Sequence, residues 1–204
     1  MQTRIENFVL GFILAPLAPI AGLLGFWWLS YALLPEKWIP LCTICGFALG
    51  ILADVLVLKN LIKRSHQLGT VFWLAVLLFY SVGIFGFFMG VPVFNVALAV
   101  PTGFVVGGKL VHEAAGGVQV RRASLLTCIL TTGLMVLVCI SSAFFALISP
   151  STSSDLRGML GLAFEVTPAM IWGLILVGGA GLLAVNWLLT ILTIRFTHRF
   201  LSNP

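Results

Sequence analysis

The centre of the chain, residues 82–109, joins two apolar segments through a four-residue connector and carries no charge before Lys109. A hairpin this apolar is hard to place in water. In lipid no water satisfies exposed peptide groups, so each segment has to form its backbone hydrogen bonds internally, as a helix. The sequence therefore predicts a polytopic membrane protein.

The composition supports a membrane protein and argues against a soluble one. Of the 204 residues, 60% are hydrophobic and 8% are charged, whereas soluble domains carry roughly 25% charged residues. Nearly all basic residues flank apolar runs, so the net charge of +5 indicates membrane topology and contact with lipid head groups. We therefore expect the lipid bilayer, and not nucleic acid, as the partner of this charge.

Six apolar segments are long enough to cross a bilayer, which takes about 20 helical residues. The fold class predicted is an all-α, six-helix transmembrane bundle forming a single domain over residues 1–204. The first run is too long for the apolar core of a signal peptide, so we expect it to stay in the membrane. The predicted helices are residues 8–34, 38–59, 70–90, 92–108, 124–148 and 168–194.

The basic residues predict the orientation of these helices. Nine of the eleven lysines and arginines lie on one side of the six-helix arrangement, and only Lys37 and Arg157 lie on the other. By the positive-inside rule both termini are cytoplasmic, and we expect the protein in the cell (inner) membrane of a prokaryote. Helices one to three and four to six then have opposite orientations, as in a three-plus-three inverted arrangement.

Small residues recur at helical spacing in three of the segments, which predicts faces that allow close helix packing. Pro16 and Pro19 interrupt the first segment and should kink or break it. In the fourth segment Pro101 should free the Ala97 carbonyl, which would need a partner on a neighbouring helix or in a cavity. The predicted packing positions are Gly11, Ala15, Ala18, Gly22, Gly25, Gly46, Gly50, Ala99, Gly103 and Gly107.

Three polar residues inside the predicted spans are the candidates for binding or transport. Asp54 is the only acidic residue predicted within a span, and it shares a helix face with Gly46 and Gly50. It is either functional, or it lies shallow enough to be hydrated or to form a structural ion pair with Lys59 or Lys63. Asn95 and Asn186 are either solute ligands or interhelical hydrogen-bonding groups.

Cys42 and Cys45 form a CxxC motif at the predicted outer end of the second helix. Such a motif at a helix start can have a lowered thiol pKa and cycle between dithiol and disulfide. Its placement resembles that in bacterial membrane proteins that generate disulfides for quinone reduction. That family has a second cysteine pair in an outer loop, and the loop at residues 149–165 has none here.

Enzymatic motifs are otherwise absent: the sequence contains no Walker loop, no HExxH and no GxSxG. We therefore expect no enzyme activity, no metal and no cofactor. We also expect a Lys109–Glu113 pair and a helix that starts with Thr167 as N-cap and Pro168 at its first position.

The leading hypothesis is a small-solute permease or a solute-binding membrane subunit, with a size similar to the substrate-binding components of some vitamin transporters. The alternative is a structural or assembly subunit that packs against a helical membrane partner or a second copy of itself. The minor alternative is a thiol–disulfide redox protein.

Overall fold

A computed structural model describes residues 2–88, 90–161 and 163–202, and every long element in these ranges is helical. Six helical stretches are long and apolar enough to cross a membrane, as predicted. Large apolar side chains are exposed along them, for example Phe12 at 76% and Phe87 at 81%. Exposed apolar surface of this extent suits contact with lipid. The chain is an all-α integral membrane protein, and the predicted fold class is confirmed.

The structure extends several predicted helices by a few residues. Met89, within the predicted third helix, lies outside the described residues. The α-helices are α1 Gln2–Leu14, α2 Leu17–Leu33, α3 Ile39–Lys63, α4 Thr70–Phe87, α5 Ala99–His112, α6 Gly117–Ile148, α7 Thr152–Leu160, α8 Pro168–Gly173 and α9 Gly179–Ser202.

The contacts divide the chain into two compact units, with the boundary between Trp73 and Leu74. The first unit therefore holds the first two membrane spans, and most of the third span belongs with the last three. This division does not test the single-domain prediction or the three-plus-three inverted arrangement, and both stay predictions.

In the first unit, the first span is broken between α1 and α2, at Ala15 and Pro16. Proline lacks the N–H that the helix would use, and its ring clashes with the preceding turn. The predicted interruption is therefore confirmed at Pro16, while Pro19 lies inside α2.

The same unit packs α2 closely on α3. A Cβ added to Gly22 would meet the carbonyl oxygen of Gly46, and a Cβ added to Gly50 would meet the carbonyl oxygen of Ala18. The backbones of the two helices are thus in direct contact, which only small residues permit.

In the second unit, a 3₁₀ segment (Pro92–Leu98) precedes α5. Because α5 starts at Ala99, Pro101 is its third residue, where a backbone N–H has no partner within the helix in any case. The Ala97 carbonyl accepts from the N–H of Ala99. That contact joins residues only two apart, so it does not test the predicted partner on a neighbouring helix or in a cavity, which stays a prediction.

The last span is regular only in its second half. Its first turn is capped as predicted: Thr167 accepts a hydrogen bond from the N–H of Met170, and Pro168 is the first helical residue. A π-helical turn, Leu174–Gly178, then separates α8 from α9.

The predicted Lys109–Glu113 pair at the end of α5 is also present, with Nζ and Oε1 3.9 Å apart.

Candidate functional site

The side chain of Asn95 is buried in the second unit and is anchored at one end. The 3₁₀ segment places it against α4, where its Nδ2 donates to the Ser81 carbonyl oxygen at 2.9 Å and to Ser81 Oγ at 2.8 Å. Both residues are nearly inaccessible, Asn95 at 4% and Ser81 at 2%. Two short hydrogen bonds from one nitrogen fix the orientation of the amide.

The other end of this amide is unsatisfied. Asn95 Oδ1 is buried, and none of the described residues donates a hydrogen bond to it. A buried acceptor without a donor costs roughly 1–3 kcal/mol, and such atoms usually bind a ligand or an ordered water. The amide oxygen of Asn95 is therefore a candidate acceptor for a bound hydrogen-bond donor.

Asn186 lies on α9 and is equally buried, with 3% of its surface exposed. Its Nδ2 lies 3.5 Å from Thr131 Oγ1 and 3.4 Å from Thr132 Oγ1, both on α6. These are long hydrogen bonds. The hydroxyl of Thr190 donates to the backbone carbonyl of Asn186 at 2.8 Å and lies 3.3 Å from Thr131 Oγ1. Asn186 is therefore part of a threonine network between α6 and α9.

Both asparagines line one cavity, which we call the Asn95–Asn186 cavity. Its volume is about 10 Å³, and its polar lining is Ser81, Asn95, Thr131 and Asn186. The remaining lining residues are apolar, and none of the lining residues is charged. A cavity needs roughly 10–15 Å³ and two to four polar partners to hold a water molecule. The structure thus brings two of the three predicted binding candidates together around a space of one water.

Close contact between α5 and α9 frames this cavity from the side. A Cβ on Gly103 would lie 2.7 Å from the Thr193 Cβ, and one on Gly107 would lie 2.8 Å from the Thr197 Cβ. Ala99, another predicted packing position, lines the cavity and is 1% exposed. These small residues let the backbones of α5 and α9 approach closely.

Asp54 belongs to the first unit. It is half-buried on the face of α3 that also carries the buried Gly46 and Gly50, as the spacing indicates. Because α3 continues to Lys63, Asp54 lies about two and a half turns from the helix end. No hydrogen bond or ion pair joins its carboxylate to Lys59, Lys63 or any other side chain in the described part of the chain.

Cys42 and Cys45 lie in the first two turns of α3. Both are free thiols in the structure, Cys42 half-buried and Cys45 exposed. The redox interpretation of this motif stays a prediction.

The predicted small-residue stripe of the first span is split by the helix break at Pro16. Ala18 and Gly22 contact α3, and Gly11 would place a Cβ 3.5 Å from Ile62 Cδ1. Ala15 lies in the break itself, and Gly25 has open space around its Cα.

Sequence reasoning missed two groups. Ser81 and the threonines of α6 and α9 pair with the asparagines, although hydroxyls within apolar spans are a signal that could have found them. Glu6 was the second omission: the first span starts at Arg4, before the predicted boundary, so Asp54 is not the only acid in a span. Glu6 is 5% exposed, and its Oε1 lies 3.2 Å from His66 Nε2.

No protein-family profile, curated protein or solved structure matches this chain.

Proposed function

We propose that this integral membrane protein is a small-solute permease or the solute-binding membrane subunit of a transport system, with the Asn95–Asn186 cavity as its solute site. The observation that carries the proposal is the buried Asn95 Oδ1, which has no donor among the described residues. A helical subunit that only packs against partners has no use for an unpaired acceptor inside its own fold.

Irregular backbone within the two spans that carry Asn95 and Asn186 supports the proposal. Asn95 lies in a 3₁₀ segment within a span, and the span that carries Asn186 contains a π-helical turn. Non-α backbone at membrane depth is tolerated where it is buried in protein or lines a cavity. Transporters build their sites from such interrupted helices, and π-turns occur frequently at functional sites.

A structural or assembly subunit is the second candidate, favoured by the direct backbone contact between α2 and α3. If the protein is a structural subunit, its buried polar groups should only form hydrogen bonds between helices. Most polar atoms near the cavity are indeed paired, and the unpaired Asn95 oxygen is what distinguishes the two functions.

The proposal also assigns the protein to the cell membrane of a prokaryote, with both termini in the cytoplasm. The support is the distribution of basic residues, nine on one side and two on the other.

Two assays on purified protein test the function. In the first, proteoliposomes are exposed to gradients of water, ammonia, urea, glycerol or NaCl, and entry is followed by light scattering or, for ammonia, by an internal pH dye. In the second, thermal unfolding in detergent is measured with and without each solute. We expect one probe to enter, or to raise the melting temperature, and Asn186→Leu to abolish the effect.

Ser141→Ala is the matched control, because Ser141 is exposed on α6 and bonds only within its own helix. No response in either assay, water and ammonia included, would favour the structural subunit.

A further inference from the structure

We propose that the Asn95–Asn186 cavity takes one neutral hydrogen-bond donor of the size of a water molecule, that is water or ammonia, and rejects cations. This inference rests on the proposed function and names its substrate class.

The size limit follows from the volume. About 10 Å³ is the lower limit for one water molecule, so urea or glycerol cannot enter without displacing side chains. The lining includes Leu77, Leu134 and Met135, and Met135 is itself 3% exposed. Moving tightly packed side chains of this kind is costly.

The requirement for a donor follows from which atoms are already bonded. The hydroxyl of Thr131 donates to the Cys128 carbonyl at 3.3 Å, and that of Thr190 donates to the Asn186 carbonyl. The amide hydrogens of Asn95 point to Ser81. What the lining residues still offer is a free acceptor, because no described residue donates to Oδ1 of Asn95 or to Oδ1 of Asn186. Only a ligand with an O–H or N–H bond satisfies it, and a ligand that only accepts hydrogen bonds leaves it unpaired.

The ligand must be neutral because the cavity has no charged residue to pair with it. None of the lining residues is ionisable as an acid or base, and an unpaired charge in an apolar interior is far more costly to bury than a polar molecule. Water and ammonia meet all three requirements: each is small, carries O–H or N–H donors and has no charge.

Proteoliposomes containing the full chain test this in separate arms. Stopped-flow shrinkage in sucrose measures water, and an internal pH dye measures ammonia entry from an NH₄Cl gradient. Vesicle swelling in urea and an internal sodium dye measure the two solutes that the cavity should exclude. We expect water or ammonia to cross faster than in protein-free vesicles, and urea and Na⁺ to remain at the protein-free rate.

Two variants test whether the flux passes through the Asn95–Asn186 cavity. Asn95→Leu removes the acceptor, and Ala99→Val fills the space without changing a polar partner; each should lower the flux by about fivefold or more. Ser141→Ala should leave it unchanged. Ala99→Val keeps the test decisive if Asn95→Leu does not fold, as judged by gel filtration and circular dichroism.

The outcomes separate this inference from the proposed function. Flux of water alone or of ammonia alone supports the inference and identifies the ligand. Flux of urea or Na⁺ that depends on Asn95, with no water or ammonia flux, overturns the substrate class and leaves the transport function standing. Flux of water or ammonia that is unchanged in both cavity variants overturns the cavity assignment. If no probe crosses faster than in protein-free vesicles, the inference fails together with the permease.

Discussion

The side-chain nitrogen of Asn95 donates to both the hydroxyl and the backbone carbonyl of Ser81, at 2.8 Å and 2.9 Å. This pair joins the 3₁₀ segment Pro92–Leu98 to α4. Because one nitrogen makes both bonds, the amide oxygen is held on the side away from Ser81. The pair therefore fixes the orientation of the one acceptor that the proposed site requires.

The first prediction concerns the energy of this pair. Ser81→Ala removes the hydroxyl bond but keeps the carbonyl bond, so we expect a loss of about 0.6 kcal/mol of unfolding free energy, typical of interhelical bonds in membranes. Asn95→Leu removes both bonds but also removes the unpaired Oδ1, which offsets part of their loss. A double-mutant cycle measured by denaturant unfolding in detergent gives the coupling energy. A coupling of zero would contradict the pairing.

The second prediction concerns the contact between α2 and α3. Gly22→Ala places a Cβ against the Gly46 carbonyl, and backbone cannot move aside as a flexible side chain can. We expect a loss of about 1–3 kcal/mol from overpacking. Gly25→Ala on the same helix is the matched control, since nothing lies within 4 Å of the added atom. It should be neutral or stabilising, because alanine favours the helix. Equal effects of the two substitutions on thermal stability would refute the contact.

The sequence predicts well the features that depend on local pattern. Apolar length predicts six spans, Pro16 predicts the break in the first, and Thr167 followed by Pro168 predicts the start of the last. Each rests on the chemistry of neighbouring residues, so no tertiary information is needed.

The features that sequence reasoning missed depend on which helices meet. Nothing in the spacing of Asn95 and Asn186 shows that they line one cavity, because 91 positions separate them and a 3₁₀ segment redirects one of them. Gly25 has the spacing of a packing residue, but a Cβ added there would meet nothing within 4 Å, although Ala18 and Gly22 on the same helix contact α3. Contacts of this kind are set by the fold and not by the local pattern.

The third prediction concerns the CxxC motif. Cys45 is exposed and Cys42 half-buried, and both are free thiols. We expect the double variant Cys42→Ala, Cys45→Ala to keep the fold and the solute response of the parent, because neither thiol belongs to the Asn95–Asn186 cavity. Thiol trapping in native membranes provides the independent readout. A disulfide that responds to added quinone would instead support the redox alternative.

The fourth prediction concerns Asp54, whose carboxylate makes no bond to any described residue. Asp54→Asn keeps the shape and removes the charge, so the unfolding free energy in detergent should change by less than about 0.5 kcal/mol. Destabilisation by several kcal/mol would reveal a partner that holds the carboxylate. With stability unchanged, any loss of solute entry in Asp54→Asn is a loss of function and not of folding.

The last prediction concerns topology. Gln67 is exposed between α3 and α4, and Ser154 is exposed on α7. Gln67 is a better labelling position than Ser65, which is 2% exposed. The basic residues place these two positions on opposite sides of the membrane. In a background with the four native cysteines replaced by alanine, Ser154→Cys should react with an impermeant maleimide in intact cells. Gln67→Cys should react only after permeabilisation.

Permeabilised cells are the control for reactivity, because both positions are accessible to the label there. If Gln67→Cys alone labels in intact cells, both termini face outward and the positive-inside assignment is wrong. If both positions label in intact cells, an odd number of spans cannot lie between them. Three whole spans lie between Gln67 and Ser154, namely Thr70–Phe87, Pro92–His112 and Gly117–Ile148. That result would therefore remove one of the α4, Pro92–His112 or α6 crossings, and with it the opposite orientation of the two halves.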